Sequence, residues 1–242
     1  LKVYEGIVIN LGIVYGKAYK LRDAIQDDRK TKSNIDQLAV LETALAKSTQ
    51  RLQEQITTSQ MLYPDAVSAI FEAHKLMVND PLIIDRAKEL IRSRHSAYDS
   101  YRQAADEVIE KFLRLDNEYI RNRVIDIEDT TDRVLATIED VEYDRRTAFG
   151  EPTILVVEKM KPSLLLGLDK DMIVGLISET GSYNQHSGTI IRTRDIPAMV
   201  ISGSYNSIND GDRILLDAYK GHVYVNPDQQ LANRILKEGD DD

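Results

Sequence analysis

The chain has 242 residues, of which 42% are apolar and 29% charged, so it can bury one large core or two modest ones. It contains no cysteine, which excludes disulfides, thiolate metal sites and cysteine nucleophiles. Its net charge of −9 argues against nucleic acid as the main partner, because phosphate backbones require a basic surface.

No apolar run reaches the ~20 residues needed to span a bilayer, and Leu1 to Tyr4 lack the basic-then-apolar order of a secretory leader. A cytoplasmic protein with no membrane contact is therefore expected. The charge is uneven. Residues 33–143 hold 21 acidic and 13 basic side chains, nearly the whole negative excess.

In chain order, Tyr4–Ile9 reads as a first strand. Glycine then disappears: all 12 glycines lie at or before Gly16 or at or after Gly150, and only Pro64 and Pro81 interrupt the stretch between. Such a stretch suits helices joined by short turns. Ile35, Leu38, Leu41, Leu45, Leu52 and Ile56 recur at helical spacing behind a Ser33/Asp36 capping box. Pro64 opens a second stripe through Val67, Ile70, Phe71, His74, Met77 and Val78. Pro81 opens a third, with Ile83, Ala87 and Leu90. A fourth runs from Tyr98 to Phe112, and a last one from Ile120 to Ile138 at 4-3-4-3-4 spacing. A bundle of four or five helices is the economical reading.

Beyond it, Thr153–Val157, Ile173–Ile177, Ala198–Ile201, Arg213–Leu216 and His222–Val225 read as strands. Short helices are expected near Ser163–Leu168 and Ser187–Arg194, and an amphipathic one over Gln229–Lys237. The tail from Glu238 onward reads as frayed or as linker. The expected organisation is an α/β domain over 1–30 and 144–230, a helical insertion over 31–143, and a helix end with linker over 231–242.

One turn carries chemistry. Gly181-Ser182-Tyr183-Asn184-Gln185-His186 follows a strand and precedes a short helix, so His186 falls at a helix N-terminus, where free N–H groups and the dipole favour an anion. A neutral imidazole there is a competent nucleophile near neutral pH. His74, by its place in an apolar stripe, reads as a packed helix residue, and His95 and His222 as structural or exposed. No metal site is expected.

Residues 175–203, GLISETGSYNQHSGTIIRTRDIPAMVISG, resemble the phosphohistidine segment of enzyme I of the phosphoenolpyruvate:sugar phosphotransferase system. Gly181, His186, Arg192, Ile196, Pro197 and Ala198 match its pattern without a gap. Ala69-Ile70-Phe71-Glu72-Ala73-His74 with Asp80-Pro81, Asn209-Asp210-Gly211-Asp212 through Asn226-Pro227, and Gly12 to Ala18 resemble further segments of that family.

The resemblance implies an α/β phosphohistidine (swivelling) domain with an inserted all-α helical bundle, and phosphoryl transfer through His186. Arg192, at a matching position, and Lys161, Asn184 and Gln185, by their own charge and amide donors, are the candidate partners of the phosphate or imidazole. The resemblance further implies that the bundle docks the phosphocarrier protein HPr, or an HPr-like protein, through Asp65, Leu76, Met77, Ile83 and Arg123. Phosphoenolpyruvate and magnesium would be bound by a separate C-terminal domain, with no cofactor held in this fragment. The chain departs from the family's GGRTSH, with Ser182, Tyr183, Asn184 and Gln185 in place of glycine, arginine, threonine and serine. Lys161 stands where the family has a threonine. An altered paralogue or a carrier-binding regulatory module is the alternative.

Overall fold

The computed structural model describes residues 1–22, 36–141, 143, 148–181 and 186–240. The chain divides into two compact units: Leu1–Asp23 with Arg146–Asp242, and Ala24–Arg145.

Eight strands among the described residues build the first unit: β1 (Lys2–Glu5), β2 (Ile7–Asn10), β3 (Ile13–Lys20), β4 (Thr153–Lys159), β5 (Ile173–Thr180), β6 (Ala198–Val200), β7 (Arg213–Asp217) and β8 (His222–Val225). Their order in the sheet is β1-β8-β7-β3-β4-β5-β6-β2. β3, β4, β5 and β6 run parallel, and the remaining pairings are antiparallel. The first five residues of β4 are all buried, as expected of a parallel strand covered on both faces. Ala18, Ile154, Val156, Ile177, Met199, Leu216 and Val223 fill the core of this sheet.

The single strand expected over Tyr4–Ile9 is two strands. Gly6 divides it, sending β1 to pair with β8 and β2 to pair with β6. These are the two outermost strands, so one residue bridges opposite edges and the sheet must close on itself. Gly6 N donates to Gly221 O (3.2 Å) on one side. On the other, a Cβ at position 6 would fall 2.3 Å from Val200 O and 2.6 Å from Ile201 Cγ1. Only glycine fits this approach.

Parallel strands need a crossover between them. The crossover from β3 to β4 has grown into the helical unit: α1 (Gln37–Leu62), α2 (Asp65–Val78), α3 (Pro81–Arg92), α4 (Ala97–Leu113), α5 (Glu118–Asn122) and α6 (Val124–Ile138). Asp36 is the N-cap of α1 itself, its Oδ1 accepting from Leu38 N (3.0 Å) and Ala39 N (3.4 Å). It is therefore not the inner member of a capping box; Ser33 lies outside the described residues. Asp80 caps α3 ahead of Pro81, and Ser96 caps α4. The last stripe is broken at Arg123, where 3.1 Å bonds from Arg123 N to Ile120 O and Asp126 N to Arg123 O tighten the turn to i→i+3.

Short α7 (Pro162–Leu166), α8 (His186–Thr193) and α9 (Ser204–Ser207) complete the sheet unit with α10 (Gln229–Asp240). α10 runs past the expected frayed tail to Asp240, burying Ala232 and Ile235. Among the described residues no helix is long and apolar enough to cross a membrane.

Gly6→Ala is expected to lower unfolding stability by ~1–3 kcal/mol, since the methyl meets a backbone carbonyl that cannot move away cheaply. Gly150→Ala, whose Cβ meets nothing within 4 Å, should leave the urea midpoint in place.

Candidate phosphohistidine site and docking face

His186 opens α8 and is half-buried. It lies beyond the carboxyl ends of parallel β4 and β5, where open α/β sheets place their ligands. Those ends are fixed by side chains. Ser178 Oγ donates to Thr180 O (2.5 Å), and Thr180 Oγ1 donates to Glu158 O (3.1 Å). Glu179 accepts from Gly203 N (2.5 Å) and Tyr205 N (2.9 Å), which commits its carboxylate to α9.

The start of α8 is tied to the end of β4. Ser187, 1% exposed, donates its Oγ proton to Met160 O. Lys161 follows Met160 directly and occupies the N-cap of α7, with Pro162 at the first helical position. Lys161 is thus next in sequence to the residue whose carbonyl holds the start of α8.

Arg192 is placed differently. It is exposed in the last turn of α8, about 9 Å along the axis from His186 and roughly 120° around it. α8 does not stack the two side chains on one face. Asn184 and Gln185 lie outside the described residues. Two residues that sequence reasoning missed hold the site's frame: Ser187, and Arg194, whose guanidinium donates to Leu165 O, Leu166 O and Leu168 O. A basic residue just past a short helix was the available signal for Arg194.

In the helical unit, α2 exposes Asp65, Ala69, Glu72 and Leu76 at 4-3-4 spacing, one continuous acidic and apolar stripe. Leu76 is 76% exposed, and Leu82, at the start of α3, 57%. Met77 is half-buried. Ile83 is only 4% exposed and packs in the bundle core, so the expectation that it touches a partner is corrected. Arg123, at the break before α6, sets its guanidinium 5.9 Å from the Tyr119 ring centroid.

Behind this stripe lies a buried polar network. His74 Nε2 meets Asp126 Oδ1 at 2.7 Å, and its Nδ1 lies 3.9 Å from Asp129 Oδ2. The Tyr143 hydroxyl donates to Asp129 Oδ1 (2.5 Å). Arg133 donates to Gln55 Oε1 (2.9 Å) and lies over the Tyr143 ring. His74 is thus a bonded core histidine, and it fixes α2 to the first turn of α6. His95 bonds to Leu90 O, and His222 pairs with Glu5, both structural roles. Among the described residues no three His, Cys, Asp or Glu side chains cluster to hold a metal.

Residues 5–123 match the N-terminal domain of PEP-utilising enzymes, and residues 149–221 match the mobile domain of PEP-utilising enzymes. Together these matches span most of the chain, which belongs to the PEP-utilising enzymes. Its relatives include the phosphoenolpyruvate-protein phosphotransferase of Geobacillus stearothermophilus, 30% identical over 95% of this chain and 40% of that protein. That of Priestia megaterium is 29% identical over 98% of this chain and 42% of its own length. The chain thus spans about two-fifths of the length of these relatives.

Two solved structures share the fold. An enzyme I solution structure, nEIt, has a TM-score of 0.69 at 21% identity, covering 98% of each chain. The N-terminal domain of a nitrogen enzyme I has a TM-score of 0.59 at 16% identity, covering 97% of this chain and 98% of that one. The expected architecture, an α/β domain carrying an inserted helical bundle, is the observed one.

Two stability effects follow from the buried groups. His74→Leu removes the ring nitrogen bonded to buried Asp126 and should cost about 3–5 kcal/mol in urea unfolding. Burial, reinforced by Asp129, pushes the Tyr143 phenol well above its ordinary value, and burial raises Tyr101 likewise. Unfolded phenols ionise near pH ~10. The stability these phenols contribute is complete below that pH and is lost as pH rises above it, while the native state still holds the protons. Tyr143→Phe should remove about one proton from the slope of unfolding free energy against pH above pH ~10.

Proposed function

We propose that this chain receives and passes on a phosphoryl group through His186, between a phosphoenolpyruvate-charged donor domain and a small basic phosphocarrier, HPr or an HPr-like protein. The observation that carries this reading is the half-buried imidazole at the first residue of α8, beyond the ends of two parallel strands. The relatives named phosphoenolpyruvate-protein phosphotransferase support it.

In the proposed step the lone pair of His186 Nε2 attacks phosphorus in line. The P–N bond of the carrier's phosphohistidine breaks as the new P–N bond forms, and the carrier imidazole recovers its electron pair. Nδ1 keeps its proton throughout and donates it to an acceptor, which preserves the reacting tautomer. The helix N-terminus and the Lys161 ammonium would stabilise the transferred anion. When phosphoenolpyruvate is the donor, it and its magnesium would be bound on a separate domain. The setting proposed is the cytoplasm.

The acidic and apolar stripe of α2, with Asp65, Glu72 and Leu76, offers a basic carrier both charge and a hydrophobic anchor. Half-buried Met77 and Arg123 would complete that surface.

Incubation with a phosphorylated carrier should add one acid-labile phosphate, seen by intact mass, and His186→Ala should add none. Phosphate that persists in His186→Ala would assign the chemistry elsewhere, and a native chain that binds carrier yet takes no phosphate would favour the regulatory reading. Leu76→Glu and Asp65→Lys should each weaken carrier binding by about tenfold or more in calorimetry, with thermal stability unchanged because both side chains are exposed.

A further inference from the structure

An imidazole can meet phosphorus in line only from a fixed backbone, since a misplacement of ~1 Å costs about a hundredfold in rate. The helix that carries His186 cannot supply this alone. α8 has eight residues, and helices that short are marginal without outside contacts. His186 is its first residue, at the end where helices fray.

Ser187 supplies an outside contact. Its side chain is 1% exposed, and its Oγ donates to Met160 O, 27 residues earlier in the chain. A serine in a helix commonly bonds within it, to a carbonyl three or four residues back or to a cap. This one leaves its helix. Met160 directly follows β4, which β3 and β5 hold from both sides in parallel pairing. The bond therefore refers the first turn of α8 to the interior of the sheet.

Met160 meets the chain on the other side of the histidine as well. It is 2% exposed, and a Cβ at Gly181 would lie 4.0 Å from its Sδ, an ordinary contact distance. Gly181 directly follows β5, and Ser187 directly follows His186. One buried residue thus borders the chain ahead of the histidine and bonds it just behind. The single hydroxyl proton of Ser187 is committed to that carbonyl, so it is not offered to a phosphate oxygen.

We infer that Ser187 is a positioning residue for phosphoryl transfer, holding His186 in place through its hydrogen bond to Met160 O. The inference rests on the phosphotransfer reading and adds to it the group that fixes the backbone under the imidazole.

The test compares Ser187→Ala, Ser187→Thr and Ser187→Val in the intact chain. Threonine and valine share a branched shape and differ in the hydroxyl, so the pair separates hydrogen bonding from volume. Phosphorylated HPr is the donor, in single turnovers followed by intact mass over a range of HPr concentrations. Temperatures are kept well below each variant's unfolding midpoint. Ser187→Ala and Ser187→Val should lower the maximal rate about tenfold or more. Their half-saturating HPr concentration should stay within about twofold of native, because the proposed docking stripe lies on α2. Ser187→Thr should stay within about threefold of the native maximal rate. Deuterium exchange at the Ile190 and Ile191 amides, which close the first turn of α8, should quicken about tenfold in Ser187→Ala and Ser187→Val but not in Ser187→Thr.

A native maximal rate in Ser187→Ala, or equal rates in Ser187→Thr and Ser187→Val, would overturn the inference. So would a loss carried wholly by half-saturation, or first-turn exchange that is the same with and without the hydroxyl. A native chain that takes no phosphate sinks the phosphotransfer reading instead, and the exchange comparison still decides whether Ser187 holds His186.

Discussion

The sheet unit depends on the contact at Gly6. A strand pair joined by one residue normally forms two neighbours or a bent strand, yet here β1 and β2 occupy opposite edges of an eight-stranded sheet. The link ties the two end strands of the sheet together through one residue, in the unit that carries His186. The atom that makes it possible is the missing Cβ, since Val200 O already occupies its place.

The helical unit solves a different problem. It carries most of the chain's negative charge and leaves one face of α2 exposed. Behind that face lie a histidine and two carboxylates with almost no exposure, linked from α2 to α6 and on to Tyr143. Polar groups at such depth are retained at a cost, and their directional bonds fix one helix register where apolar packing alone would tolerate several. The exposed stripe of α2 is thus backed by directional bonds as well as by packing.

Much of this was legible in the sequence. The gap between Gly16 and Gly150 marks the helical unit because glycine is costly inside helices, and the buried runs of β4 and β5 stand out because parallel strands are covered on both faces. The split at Gly6 was not legible: Tyr4–Ile9 alternates as one strand would, and only tertiary closure separates its halves. The break at Arg123 was hidden because an i→i+3 turn barely disturbs a helical stripe. Ile83 carried two readings, core by its spacing and contact by resemblance, and packing decided for the core. At the site, the short helix that His186 opens was visible. Arg194 showed only as a basic residue just past a short helix. That signal points to the helix's own carbonyls, whereas those Arg194 binds belong to α7 and the residues after it.

The interruption of the sheet between β3 and β4 has a consequence for synthesis. Lys17 pairs with Arg213 in the finished sheet, so the first three strands emerge from the ribosome long before their antiparallel partners exist. At ~5–20 residues per second that wait lasts about 10–40 s. The intervening helices need only local contacts and form far faster than this. The nascent chain thus carries a folded bundle tethered to three waiting strands, and those strands are the segment a chaperone has most reason to shield.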